Sequence, residues 1–195
     1  MALGAKSKIW AWGIPLVLLI VAGFLGWHFR PKRENRYDTQ ILAAAQRYRL
    51  DPAVIKAVIW QESKFVPYVR GRAGEIGLMQ IREPAALEWA EAEKIHPFEH
   101  EHILHPGTNI LCGSFYLSKL LKRYQKTDNP LPYALADYNA GRTHVLRWNK
   151  GAARTNSAAF LAGMDFPGTR RYASNVMARS SQYREQFQRR RLASN

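Results

Sequence analysis

The sequence has a single cysteine, Cys112, so it cannot close an internal disulfide, and without a Cys-x-x-Cys pair or zinc-type Cys/His spacing it offers neither a redox motif nor a structural zinc site. It also lacks a Gly-rich phosphate loop. Gly71, Gly74 and Gly77 are not followed by Lys-Ser/Thr and do not join a strand to a helix, which removes nucleotide chemistry. No sustained period-2 alternation, internal repeat or low-complexity tract is visible. Acidic residues are scarce: 15 Asp+Glu face 29 Lys+Arg, for a net charge of +14 over 195 residues. The imbalance is local. Residues 37–141 hold 12 basic and 12 acidic side chains, whereas 142–195 hold 11 basic ones against only Asp165 and Glu185. By sign alone a basic surface attracts nucleic acid, anionic lipid or an anionic wall polymer; the plainer reading is a solvated helix ending in Arg189-Arg190-Arg191.

One long apolar run is present. Ile9 to Phe29, 21 residues without Asp, Glu, Lys or Arg, is long enough to span a hydrocarbon core of about 30 Å at ~1.5 Å per residue. Trp10, Trp12 and Trp27 lie near its ends, and Lys6, Lys8, Arg30, Lys32 and Arg33 bracket it, as expected of a transmembrane helix. A cleaved signal peptide would need small residues after the apolar core, and Gly26-Trp27-His28-Phe29 does not supply them. The organisation expected is a cytoplasmic tail (1–8), a membrane span (9–29), a linker (30–37) and one domain (38–195). The flank after the span is the more basic, which favours a cytoplasmic C-terminus, but long domains translocate largely regardless of that charge.

In the domain, period 3.6 dominates. Ile41, Leu42, Ala45 and Tyr48 mark one helix. Asp51-Pro52, a capping residue followed by a proline suited to a first turn, opens a second with Val54, Ile55, Val58 and Ile59. Further helices are predicted at about 84–95, 107–124, 131–140, 142–149, 157–163 and 169–188. The fold class is mainly α in a single domain, with room for a short hairpin in the Gly-rich 65–81 stretch.

Glu62 breaks the pattern of its helix. Ile55, Val58, Ile59 and Glu62 fall at i, i+3, i+4 and i+7, so the carboxylate continues the apolar stripe. Partial desolvation there, together with the negative C-terminal end of the helix, favours the protonated form and raises the pKa, as a general acid requires. The alternative is a helix frayed by Glu62 with its side chain in water.

Glu62-Ser63 is followed by Phe65 and Pro67, then Gly77-Leu78-Met79-Gln80-Ile81, Ala136-Asp137-Tyr138-Asn139-Ala140-Gly141 and Thr169-Arg170-Arg171-Tyr172. In this order the motifs, spread over about residues 40–185, resemble the soluble lytic transglycosylases, bacterial peptidoglycan-cleaving enzymes with a mainly helical, lysozyme-like fold. The resemblance implies that Glu62 is the catalytic acid and base and that Ser63 is a polar partner of its carboxyl group or of the sugar. Met79 and Gln80 would line the glycan groove, Tyr138 and Asn139 would face Glu62 across it, and Tyr172 would close it. It further implies that one glutamate suffices. The acid protonates the oxygen linking MurNAc to GlcNAc, the substrate's N-acetyl group supports the anomeric carbon, and the same glutamate deprotonates the C6 hydroxyl to leave a 1,6-anhydromuramyl end. The implied partners are peptidoglycan strands and, through residues 9–29, the inner membrane, with the domain in the periplasm; no cofactor, metal or nucleic acid is implied, and protein partners in the wall machinery are open.

The sequence departs from the family pattern at Arg72-Ala73-Gly74-Glu75-Ile76, at Arg82-Glu83-Pro84 and at Asp137, where small or apolar residues are usual. Glu75 or Asp137 could supply the second carboxylate of a hydrolytic muramidase. A tethered glycan-binding module without turnover is the other alternative, and intact Glu62 argues against it. His96, His100, His102 and His105, interleaved with Glu99 and Glu101, match no standard metal-site spacing. Cys112, with Leu111, Phe115 and Tyr116 nearby, reads as a buried structural thiol.

Overall fold

The computed structural model describes residue 15, residues 17–25 and residues 33–193, and it divides into two units, 1–36 and 37–195. In the first, residues 17–25 are helical, with Val17, Leu18, Leu19, Ile20 and Phe24 exposed. Among the described residues no helix is long and apolar enough to cross a membrane. Of the expected 9–29 span, residue 15 and residues 17–25 are described and the rest lies outside the described residues.

The second unit is built of eight α-helices among the described residues: α1 (Asp38–Tyr48), α2 (Pro52–Ser63), α3 (Glu83–Ala92), α4 (Pro106–Arg123), α5 (Pro130–Ala140), α6 (Arg142–Trp148), α7 (Ser157–Ala162) and α8 (Pro167–Ala193). Short 3-10 turns at His100–Leu104 and Gly151–Arg154 join them. Proline supplies the first residue of α2, α4, α5 and α8, where its missing N–H would have no helical partner in any case. Helix α3 stops at Ala92, short of the expected 95, because the chain turns through left-handed Lys94 (φ 57°) and the Ile95 N–H closes on the Ala90 carbonyl.

Helix α2 is the axis of the core. The Asp51 carboxylate accepts the Ala53 N–H at 2.8 Å and sets its start. Ala53, Ile55, Ala57, Val58 and Ile59 are fully buried, so the helix is wrapped on nearly all sides, chiefly by α8. Even Lys56 is 1% exposed: its ammonium donates to Asp38 at 2.6 Å and lies 5.1 Å from the ring centroids of Tyr183 and Phe187. The basic end of α8 is partly absorbed by similar pairs, Arg184 with Asp51, Arg189 with Glu185 and Arg190 with Asp38. A smaller apolar cluster around Tyr133, Val145, Trp148 and Phe160 fastens α5, α6 and α7 together.

The 65–81 stretch between α2 and α3 folds on itself through isolated antiparallel bridges, Arg70 with Ile76 and Ile76 with Ile81. One side chain of α4 fixes this loop. The fully buried Asn109 amide accepts the Met79 N–H at 2.8 Å and donates to the carbonyls of Ile76 (3.0 Å) and Ile103 (2.9 Å). Gly77, at φ +83°, runs so close that a Cβ there would lie 2.1 Å from Asn109 Nδ2.

Candidate active site

Glu62 leaves α2 in its last turn. The helix does not fray before it: it runs through Ser63 and closes when the Lys64 N–H, in a left-handed cap, donates to the Trp60 carbonyl at 3.2 Å. The carboxylate therefore enters a cleft of about 700 Å³ between the 65–81 loop and α3, α4 and α5, whose walls include Glu75, Gln80, Tyr116, Tyr138 and Asn139. From α8, on the other flank, the Tyr172 hydroxyl donates to Glu62 Oε1 at 2.6 Å.

Burial is the main influence on Glu62 and pushes its pKa up to about 7. The Tyr172 hydrogen bond opposes that rise, the charge of Glu75 adds to it, and Lys64 offsets part of it. At neutral pH the group is poised to give up and take back a proton. The Tyr172 and Tyr138 phenols are both driven well above their ordinary range, first by burial and then by the charge of Glu62, so both remain protonated donors. Tyr138 donates to the Met79 carbonyl at 2.7 Å and so ties α5 to the loop.

The remaining expected residues divide into two groups. Gln80 lies on the cleft wall, with its amide nitrogen donating to the carbonyls of Val69 and Gly77, both at 2.9 Å. Asn139 lines the cleft and also an adjoining hollow of about 530 Å³ with Gln61, Phe166 and Tyr172, and its Oδ1 accepts from Thr169 at 2.9 Å. Ser63 and Met79 point elsewhere. The Ser63 hydroxyl is buried and donates back to the Ile59 carbonyl of its own helix at 3.1 Å, leaving it no reach to the carboxylate. The Met79 side chain is fully buried against Gly113, where a Cβ would lie 2.4 Å from its sulfur, and it is the backbone carbonyl of this residue that accepts from Tyr138.

The two additional carboxylates differ in their surroundings. Asp137 is 2% exposed, and its Oδ2 accepts from Arg123 and from the Tyr124 hydroxyl, each at 2.6 Å; it is a paired structural charge. Both line the cleft, but Glu75 has no cationic partner of this kind among the described residues: its Oε2 accepts the Ala73 N–H at 3.1 Å. The sequence reading missed Asn109, the Arg123–Asp137 pair and Tyr116, whose ring sits 5.5 Å from that of Tyr138. For Asn109 a signal was present, a lone amide beside Ile110 in the apolar start of α4.

Among the described residues no group of three His, Cys, Asp or Glu could hold a metal ion. The histidines serve local geometry: His100 Nε2 meets the Ile81 carbonyl at 3.0 Å, and His102 Nδ1 accepts the Glu99 N–H at 3.1 Å. Cys112 is buried, and burial pushes its thiol up to about 12, far from a reactive thiolate.

Comparison with known proteins agrees with this geometry. The family described as Transglycosylase SLT domain matches residues 39–161. The chain is 31% identical over 166 residues to the soluble lytic murein transglycosylase of Salmonella typhimurium, covering 84% of this chain and 25% of that one. It is 37% identical over 116 residues to membrane-bound lytic murein transglycosylase F of Desulfosudis oleivorans, covering 58% and 24%. In structure it resembles the 70-kDa soluble lytic transglycosylase of Escherichia coli (TM-score 0.69, 28% identity, 77% of this chain and 24% of that one). It is likewise similar to an inactive glutamate-to-glutamine mutant of lytic transglycosylase Slt from Pseudomonas aeruginosa (TM-score 0.70, 26% identity, 77% and 24%). The chain thus spans about a quarter of the length of these relatives. A mainly helical lysozyme-like fold, a half-buried glutamate at the end of its central helix and a family match over more than half of the sequence lead to one conclusion: the chain belongs to the transglycosylase SLT domain family.

Proposed function

We propose that this chain is a peptidoglycan lytic transglycosylase that cleaves the MurNAc–GlcNAc β-1,4 bond without water, with Glu62 as its single acid and base. The observation that carries this reading is the Glu62 carboxyl group, desolvated in the cleft, with a pKa of about 7 and a 2.6 Å hydrogen bond from Tyr172. A protonated Glu62 gives its proton to the bridging oxygen as the C1–O4 bond breaks. The N-acetyl carbonyl oxygen supports C1, and the C6 hydroxyl then bonds to C1 while returning its proton to Glu62. Atoms balance without water, and the glutamate ends as it began. Tyr172 fixes which carboxyl oxygen is free, since its hydroxyl occupies Oε1. A structural relative described as an inactive glutamate-to-glutamine mutant is in keeping with a glutamate-dependent reaction.

Hydrolysis is the second reading, and the position of Glu75 in the cleft wall is what favours it. Asp137 is the poorer candidate because Arg123 and Tyr124 already engage its carboxylate. The domain works on the wall side of the inner membrane, with residues 9–29 as a single-pass anchor and 1–8 in the cytoplasm; relatives named as membrane-bound support attachment to a membrane. Clearing of purified peptidoglycan by the chain, abolished in Glu62→Gln, tests the activity. Protease added to spheroplasts should digest residues 38–195, and full protection would overturn the topology.

A further inference from the structure

The glycan cleft does not end at Arg123 and Arg142. These two side chains line both the cleft and a further pocket of about 230 Å³ formed where α4, α6 and the 151–154 turn meet. Lys126 and Arg154 add two more cations, and no carboxylate lines the pocket. Arg123 is partly neutralised by Asp137, but Lys126, Arg142 and Arg154 are exposed and have no ion-pair partner among the described residues. Three uncompensated cations around a small concavity repel one another, and that repulsion is relieved when an anion enters. Tyr124 and Leu146 give the pocket an apolar wall.

From this continuity we propose that the pocket is an anion subsite at the end of the cleft that receives a carboxylate of the peptide stem carried by the bound glycan strand. This rests on the proposed function, because the cleft must hold the strand that carries the stem. Among groups attached to such a strand, stem carboxylates are the anions that can lie beside it, and two arginine forks with one ammonium suit a carboxylate paired on both oxygens. The volume admits the end of a short peptide and excludes a folded partner.

The test separates binding from turnover. Binding of the chain carrying Glu62→Gln is measured at low salt on immobilised glycan strands that bear their stems, and on the same strands stripped of stems by an amidase and then amidated at the lactyl carboxyl groups that stripping exposes. Wild-type pocket residues should give about tenfold tighter binding to the stem-bearing form, fading as salt is raised. Adding Lys126→Glu and Arg154→Glu should remove that preference and leave binding to stripped strands unchanged, while Lys126→Arg with Arg154→Lys should keep it. In otherwise wild-type chain, the Lys126→Glu/Arg154→Glu pair should raise KM on stem-bearing strands about tenfold without changing kcat. Equal binding to both forms would overturn the proposal. So would a weakening that affects both forms alike, or a loss of binding to anionic lipid vesicles with stem discrimination intact. If wild-type pocket residues discriminate between the forms but the unmutated Glu62 chain cleaves neither, the subsite stands and the proposed activity fails.

Discussion

The Tyr172 hydroxyl on α8 donates to the Glu62 carboxylate at the end of α2, 2.6 Å apart in space and 110 residues apart in sequence. The bond stabilises the ionised form while burial destabilises it, and the balance sets the proton affinity of Glu62. Because α8 is the principal neighbour of α2, the same packing that completes the core also delivers this hydroxyl.

Tyr172→Phe removes only the opposing hydrogen bond, so the pKa of Glu62 should rise further. The alkaline limb of the pH–rate profile should move up by about one unit, with kcat at its optimum falling about tenfold through loss of carboxyl positioning. A pH titration of cleavage rate on purified strands checks the shift, and a limb that moves down would contradict the role given to Tyr172.

Glu62 also leaves a mark on stability. Its folded pKa of about 7 lies above the ordinary value of 4.5, so the native state holds a proton that the unfolded chain releases between those limits. Stability contributed by the protonated group is full below about pH 4.5 and is lost as pH rises through about 7. Glu62→Gln cannot ionise and should melt higher than wild type at pH 8, by on the order of 2 kcal/mol, with the gap closing towards pH 4. Thermal melts of both proteins at the two pH values read this directly.

Gly77→Ala should be among the most damaging single changes. It combines a side chain at φ +83° with a Cβ 2.1 Å from the Asn109 amide, which would have to abandon three buried backbone groups. A loss of roughly 3 kcal/mol or more in denaturant unfolding is expected. Asn109→Ala should cost a similar amount, and the two together less than their sum.

Asp137→Asn and Arg123→Gln should behave oppositely. The first keeps a polar group beside Arg123 and Tyr124 and should leave cleavage near wild type; the second strands a buried carboxylate at a cost of roughly 3 kcal/mol. Chemical denaturation with parallel activity assays compares them. Loss of cleavage in a folded Asp137→Asn protein would make Asp137 the second carboxylate.

The sequence made some of this legible because the information was local. The stripe Ile55, Val58, Ile59, Glu62 and the Asp51-Pro52 start lie within one helix, and the helix starts and buries that stripe as read, although burial extends to nearly all its other sides as well. The bridges of the 65–81 loop fall where glycine spacing left room for them. Asp137 was opaque for the opposite reason: on paper it is an extra acid beside Tyr138-Asn139, and only the packing of α4 on α5 brings Arg123 and Tyr124 onto it. Ser63 was similarly misleading, since adjacency to Glu62 in sequence places it about 100° around the helix, towards the core. Near the basic end of α8, Arg184 and Arg190 pair with Asp51 and Asp38, residues far earlier in the chain.

The central claim is that one carboxylate cleaves the strand by intramolecular attack. Mass spectrometry of the products released from purified peptidoglycan tests it most directly. The account predicts muropeptides one water lighter than those of a muramidase, with no reducing muramyl ends and no products from Glu62→Gln. Reducing ends throughout would contradict it and transfer the reaction to hydrolysis, with Glu75 as the second acid; full activity in Glu62→Gln would overturn the assignment of the site itself.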